Sequence, residues 1–315
     1  MSKYAFIFPG QGSQFIGMGK ELADNFEAAK AVFDEVDDAL GQDLSGLMWD
    51  GSEDDLKLTA NTQPALMAVS VAAMRALESA HDVSVKHAAF IAGHSLGEYS
   101  ALASAGAMSI GDCARVLRIR GNAMQAAVPA GEGAMAALLG ATPETAEALC
   151  EIGRTMGICE IANDNAPGQI VISGSKQGIE MACSKAKEIG IKKAVPLPVS
   201  APFHCSLMQP AADAMAKALS EIEITAPSAP LVANVTATAG SDPEAIRKQL
   251  VEQVTGQVRW SESVQYIAAQ GVELTIEAGA GKVLTVMNRR NVRELEGLTM
   301  GTVEDIEAVA ARLSS

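Results

Sequence analysis

The chain has 315 residues, 48% hydrophobic and 20% charged, and 24 Lys and Arg against 38 Asp and Glu leave a formal charge of −14. That is enough apolar material for one large domain, with or without a smaller insert, and it excludes a disordered chain. The acidic balance excludes nucleic acid as a general partner, because phosphate contacts need Lys and Arg, and no apolar run reaches membrane-spanning length.

From the N-terminus, residues 4–8 read as a short apolar strand ending at the turn residues Pro9-Gly10-Gln11-Gly12. Phe15 stands where a dinucleotide loop needs its third glycine, so GxGxxG is not met. Amphipathic spacing predicts helices over about 19–40 and 62–80. Residues 88–92 are a continuous apolar run, which suits a buried parallel strand. Gly93-His94-Ser95-Leu96-Gly97 follows, then helical patterns over 98–105 and 110–127. From Gly131 the texture changes to strand 134–139, helix 143–154, strands 158–163 and 169–173, helix 176–189 and strand 193–197. That order is the ferredoxin-like βαββαβ unit. Residues 131–197 are therefore expected to form a small domain inserted into an α/β domain made of residues 1–130 and 198–315. The remainder predicts strands near 231–234 and 273–276, and helices near 207–220, 243–253, 261–270 and 282–292.

The start MSKYAFIFPG lacks the basic and long apolar stretches of a signal peptide, so a cytoplasmic location is expected. The five Cys (113, 150, 159, 183, 205) show no CxxC spacing and read as reduced thiols. The four His never pair with Cys at ligand spacing, so no metal is expected.

Gly93-x-Ser95-x-Gly97 between a strand and a helix matches a nucleophile elbow. Such a turn lifts a serine Oγ clear of the sheet and aims the helix's free N–H groups at a reacting carbonyl. The alternative is an ordinary serine cap on a strand-to-helix turn. A serine nucleophile needs a base. His81 and His87 flank a polar loop and are expected to face solvent, while His94 adjoins the serine and is expected to point away from it. His204, in Ser200-Ala201-Pro202-Phe203-His204, is left by elimination. Asp112, Glu160 and Asp164 fall between Ser95 and His204, but none has the context of a triad acid, so a backbone carbonyl is expected to fix the imidazole. Arg115, Arg118 and Arg120 cluster on one helix. The first two read as a solvated face, and spacing alone does not single out Arg120 as a carboxylate ligand.

Several motifs in one order now carry a resemblance. They are Phe8-Pro9-Gly10-Gln11-Gly12-Ser13-Gln14, Gly93 to Tyr99, Arg120-Gly121 with Met124-Gln125, Asn165-Ala166-Pro167-Gly168-Gln169, Pro198 to His204, Gln253 before Val258-Arg259-Trp260, and Glu277 to Leu284. Together they resemble the malonyl-CoA:acyl carrier protein transacylase family. The resemblance implies an α/β-hydrolase-like large domain with a parallel sheet plus a ferredoxin-like small one. It implies Ser95 as nucleophile, His204 as base, and the backbone N–H groups of Gln11 and Leu96 as the oxyanion hole. Arg120 would bind the malonyl carboxylate, with Met124 beside it, and the Gln253 carbonyl would orient His204. Phe203 stands where many bacterial relatives carry a smaller residue. Similar polyketide synthase domains with Phe there tend to prefer malonyl over methylmalonyl. Malonyl-CoA and an acyl carrier protein are the implied substrates, with no cofactor, in a monomer serving fatty acid synthesis or, alternatively, a polyketide pathway. A serine thioesterase is the rival activity. Lys282, Arg289, Arg290 and Arg293 fall largely on one side of a helix and could meet an acidic carrier, or simply form a solvated helix end.

Overall fold

The computed structural model describes residues 3–199 and 201–314. Its strands in chain order are β1 (Lys3–Phe8), β2 (Phe90–Gly93), β3 (Gly133–Leu139), β4 (Cys159–Ala166), β5 (Gln169–Ser175), β6 (Lys193–Pro196), β7 (Leu231–Val232), β8 (Ala239–Gly240), β9 (Val272–Ala278) and β10 (Glu296–Met300). They form a six-stranded sheet ordered β10-β9-β1-β2-β7-β8 and a four-stranded sheet ordered β4-β5-β3-β6.

In the larger sheet every pairing is parallel except β7 with β8. Both faces of a parallel sheet must be covered, and β1 shows how the sequence does this. Phe6 and Phe8 enter one core with the helices Glu27–Leu40, Thr59–His81 and Ile110–Ala126. Ala5 and Ile7 enter another with Trp260, Val264 and Leu284. The helix Thr59–His81 is the central pillar. Its run from Thr62 to Ala73 is buried all round, and it continues through Pro64.

The smaller sheet is antiparallel throughout, with the strand order of a ferredoxin-like unit. Its two faces have different tasks. Ala136, Leu138, Ile170 and Ile172 pack under the helices Pro143–Arg154 and Lys176–Lys185. Alternate residues Met135 and Val171 point the other way, into the core shared with the larger lobe. The edge strand β4 does not end in solvent. Val258 accepts from Asp164 N (3.0 Å) and donates to Ala162 O (2.8 Å), which carries backbone pairing across to the larger lobe.

Most elements fall within a few residues of their sequence pattern. Others differ: the short helices Leu44–Asp50 and Glu53–Lys57 and the two-residue strand β8 were not expected. The pattern over 19–40 is two helices, Lys20–Asn25 and Glu27–Leu40, because Phe26 is extended (φ −128°, ψ 114°). The helix expected at 62 starts at Thr59. The edge strand β10, short and half-exposed, was not expected, and neither was the helix Val303–Ser314, although it buries Ile306, Val309 and Ala310 at helical spacing.

Candidate active site

β2 runs into the helix Gly97–Ser104 through a turn that only glycine allows on either side. A Cβ on Gly93 would lie 1.9 Å from Gly97 C, and one on Gly97 would lie 2.2 Å from Phe8 O. Ser95 sits between them with φ 55°, a left-handed conformation costly for a residue with a side chain. Asn234, just after β7, fastens the turn: its Oδ1 accepts from Ser95 N (2.8 Å) and its Nδ2 donates to Gly93 O (2.7 Å). The strained serine is held from both sides.

Ser95 Oγ lies 2.8 Å from His204 Nε2. The other ring nitrogen, Nδ1, donates to Gln253 O at 2.9 Å, which fixes the tautomer and leaves Nε2 free to take a proton. His204 is 4% exposed and also left-handed, with φ 58°, so the two strained non-glycine residues of the cleft are the pair in contact. Burial, reinforced by the Arg120 charge, pulls the His204 pKa down to about 3, so the ring is neutral at working pH. Asp112 and Glu160 are engaged elsewhere, Asp112 with Ser109 and Arg115 and Glu160 with Ser206, while Asp164 lines a different hollow with Gln257, Ser261 and Glu262.

Arg120 is 1% exposed. Its Nη1 donates to Gln63 Oε1 (2.8 Å), and its Nη2 donates to Gln253 Oε1 (2.8 Å) and to Ser95 Oγ (3.2 Å). The guanidinium carbon lies 5.6 Å over the centre of the Tyr99 ring. Burial lowers the Arg120 pKa, but a guanidinium remains a cation. Neighbouring Arg115 behaves as the sequence suggested, paired with Asp112. Arg118 does not: it is half-buried and donates to Asn61 Oδ1 (2.9 Å) and Gln42 Oε1 (2.6 Å).

These groups line a cleft of about 280 Å³ between the two lobes. Gln11, Leu96 and Met124 also line it. Among the described residues, the backbone N–H groups of Gln11 and Leu96 meet no acceptor. Phe203, 9% exposed, stands beside His204, while Ser200 of the same motif lies outside the described residues. The small lobe contributes Met135, Asn163 and Val171. His94, next to Ser95, is also among the cleft residues; its Nε2 meets Asn165 Oδ1 at 2.8 Å and its ring centre lies 5.6 Å from that of Trp260. His81 is half-buried against Glu307 (3.0 Å) rather than free, and His87 is exposed.

Three site residues escaped the sequence reading. Gln63 and Asn234 carried only weak signals, a polar residue in an apolar helix and an Asn at the carboxyl end of a central strand. Glu98 belonged to a recognised motif but had no role. It is 1% exposed, its Oε1 accepts from Asn234 N (2.7 Å), and its Oε2 accepts from Gln253 Nε2. Burial pushes its carboxyl up to about 8, against the opposing pull of those two bonds and of Arg120.

On the rim, Lys282, Arg289, Arg290 and Arg293 are all exposed. Arg290 is not idle: it donates to Gln169 Oε1 (2.8 Å) and Pro167 O (3.1 Å) at the β4–β5 turn. Among the described residues, no cluster of His, Cys, Asp and Glu could hold a metal, and no helix is long and apolar enough to cross a membrane.

Known proteins match this architecture over its whole length. The acyl transferase domain family matches residues 5–310. The malonyl CoA-acyl carrier protein transacylase of Bacillus subtilis is 45% identical over 98% of this chain and 96% of its own. The crystal structure of the acyl-carrier-protein S-malonyltransferase of Bartonella henselae superposes with a TM-score of 0.97 at 55% identity, over 99% of this chain and 100% of its own. A malonyl-transacylase solved in complex with its type II polyketide acyl carrier protein superposes at 0.94 with 41% identity, over 99% of this chain and 100% of that one. An elbow serine, a histidine held by a main-chain carbonyl and a buried arginine thus share one cleft in a chain that belongs to the malonyl-CoA:acyl carrier protein transacylase family of acyltransferases.

Proposed function

We propose that the chain moves a malonyl group from coenzyme A to the phosphopantetheine thiol of an acyl carrier protein through a malonyl ester on Ser95, supplying fatty acid synthesis. The observation that carries this reading is that Ser95 Oγ sits between a neutral base, His204 Nε2 at 2.8 Å, and a buried cation, Arg120 Nη2 at 3.2 Å.

Ser95 Oγ attacks the thioester carbonyl while His204 Nε2 takes its proton. The Gln11 and Leu96 N–H groups receive the oxyanion, each such donor being worth about 3 kcal/mol. The C–S bond breaks and coenzyme A leaves with the proton from His204. The carrier thiol then gives its proton to His204 and attacks the ester, and Ser95 recovers the proton as the ester bond breaks. Arg120 selects the acyl group. Each Nη nitrogen has two N–H bonds: the second on Nη1 is not held by Gln63, and the second on Nη2, which rests on Ser95 Oγ, passes to the malonyl carboxylate once Ser95 is acylated. Phe203 adds bulk beside the reacting carbon and disfavours a methyl branch.

Two further parts belong to this reading. Residues 131–197 act as an inserted domain that roofs the cleft and keeps water from the ester. The carrier docks on the rim, where exposed Val283 and Val286 stand among Lys282, Arg289 and Arg293.

The test is partition of the acyl-enzyme. Wild type loaded with malonyl-CoA should hold a malonyl mass that persists in buffer and discharges when carrier protein is added. Rapid release of free malonate without a thiol acceptor would identify a thioesterase instead.

A further inference from the structure

Glu98 is a buried carboxyl that the reaction does not use, yet it touches two of the residues that hold the site together. Among the described residues, Glu98, Arg120 and Glu277 are the only buried side chains of the Asp, Glu, Lys and Arg types, and Glu277 is spent on the backbone of Leu284 and Thr285. Glu98 and Arg120 meet through one intermediary, the side-chain amide of Gln253.

That amide has two ends, and its surroundings decide which way it faces. On one side stand Glu98 Oε2 and Ser95 O, the latter 2.9 Å from Gln253 Nε2. Both are acceptors, so the NH₂ must face them. The carbonyl Oε1 must then face Arg120, which can only donate. Both Glu98 oxygens are occupied as acceptors, Oε1 by Asn234 N and Oε2 by Gln253, so the ionised form fits this arrangement directly, whereas a protonated one would also need an acceptor for its O–H. The same Asn234 holds Ser95 N and Gly93 O. The amide orientation therefore follows from the donors and acceptors around it, with Glu98 as the strongest of them.

We infer that Glu98 is a positioning residue for acyl-group selection: by fixing the orientation of the Gln253 amide it holds the Arg120 guanidinium where a carboxylate-bearing acyl group meets it. This rests on the reading of Arg120 as the malonyl-carboxylate ligand. When an amide replaces the Glu98 carboxyl, its NH₂ has to face either Asn234 N or the Gln253 NH₂, donor against donor. Turning the Gln253 amide relieves the second clash but sets its NH₂ against Arg120, and the guanidinium loses a partner and its place.

The experiment compares initial rates of Ser95 labelling by malonyl-CoA and by acetyl-CoA, read by intact mass on the full chain above the pH at which Glu98 ionises. Glu98→Gln keeps the shape and removes the charge. It should lower malonyl labelling about tenfold more than acetyl labelling, the weight of one hydrogen bond to a charged group. Equal loss of both substrates in Glu98→Gln, or an unchanged ratio, would each overturn the assignment. Arg120→Ala separates the two ideas. If it leaves the ratio intact, the carboxylate reading itself has failed. If it collapses the ratio and Glu98→Gln does not, only the positioning role has failed.

Discussion

The floor and the roof of the cleft are built differently. In the floor, Ser95, Glu98, Arg120, His204, Asn234 and Gln253 form one network, all buried or nearly so, with the side chain of Gln253 alone touching four neighbours. The roof shares an apolar core with the larger lobe through Met135, Ala162 and Val171, and beyond that it is held by a few polar ties. They are His94 to Asn165, Asn291 to Asn165 O, Arg290 to Gln169 and Pro167, Ser206 to Glu160, and the Val258 backbone bridge. Most of these side-chain ties are solvent-accessible, where a single bond contributes little. A dry, fully paired network cannot adjust without leaving a buried group unpaired, so it keeps its geometry through two half-reactions. Polar ties that reach solvent can exchange their partners for water at little cost, which suits a rim that must admit coenzyme A and then the arm of a carrier protein.

Damage to the floor should cost most. His204→Ala should slow Ser95 acylation about a thousandfold, the usual weight of a general base, as measured by single-turnover labelling with malonyl-CoA. The wild-type pH profile sharpens this. Because the His204 pKa is lowered to about 3, the base stays neutral as pH falls through the ordinary histidine range. The acid limb of acylation should therefore lie well below 6.5, the ordinary histidine value. Removing the cation in Arg120→Ala should move that limb upward, since the Arg120 charge helps to hold the pKa down. A limb at the ordinary histidine value in wild type would mean that His204 is not held neutral by its surroundings.

Loosening the roof should matter less, and in a different quantity. Arg290→Ala cuts the tie to the β4–β5 turn. Acylation should change little, while loss of malonyl to water rises several-fold against transfer, on the order of 1 kcal/mol. An unchanged transfer-to-hydrolysis ratio would argue that the small lobe does not exclude water. The smallest effect belongs to the rim. Arg289→Glu with Arg293→Glu should raise the carrier KM a few-fold, more at low salt, and spare acylation by malonyl-CoA. Arg290 is left out because its side chain is already committed to the roof. Equal loss in both half-reactions would remove the docking role.

The floor and the roof also differed in how far the sequence revealed them. Ser95 was legible because an elbow is local: an apolar strand, two glycines and a helix lie within a few residues. The ferredoxin-like order of the small lobe was legible for the same reason, as short elements with clear periods. His204 was reached only by elimination, because its partner lies 109 residues away. The group that orients His204 is the main-chain carbonyl of Gln253, which leaves no mark in residue type. Glu98 reads like any acid in the first turn of a helix, and only its burial and its partners reveal otherwise. Arg118 was misread because proximity to charged neighbours was taken for exposure.

The central claim is that the malonyl group is carried on the oxygen of Ser95. It is tested most directly by loading the enzyme with malonyl-CoA, digesting it and locating the added mass. One malonyl per chain should appear on the peptide that contains Ser95, and none on Ser95→Ala treated in the same way. A malonyl adduct that survives in Ser95→Ala, or that maps to another residue in the wild type, would contradict it.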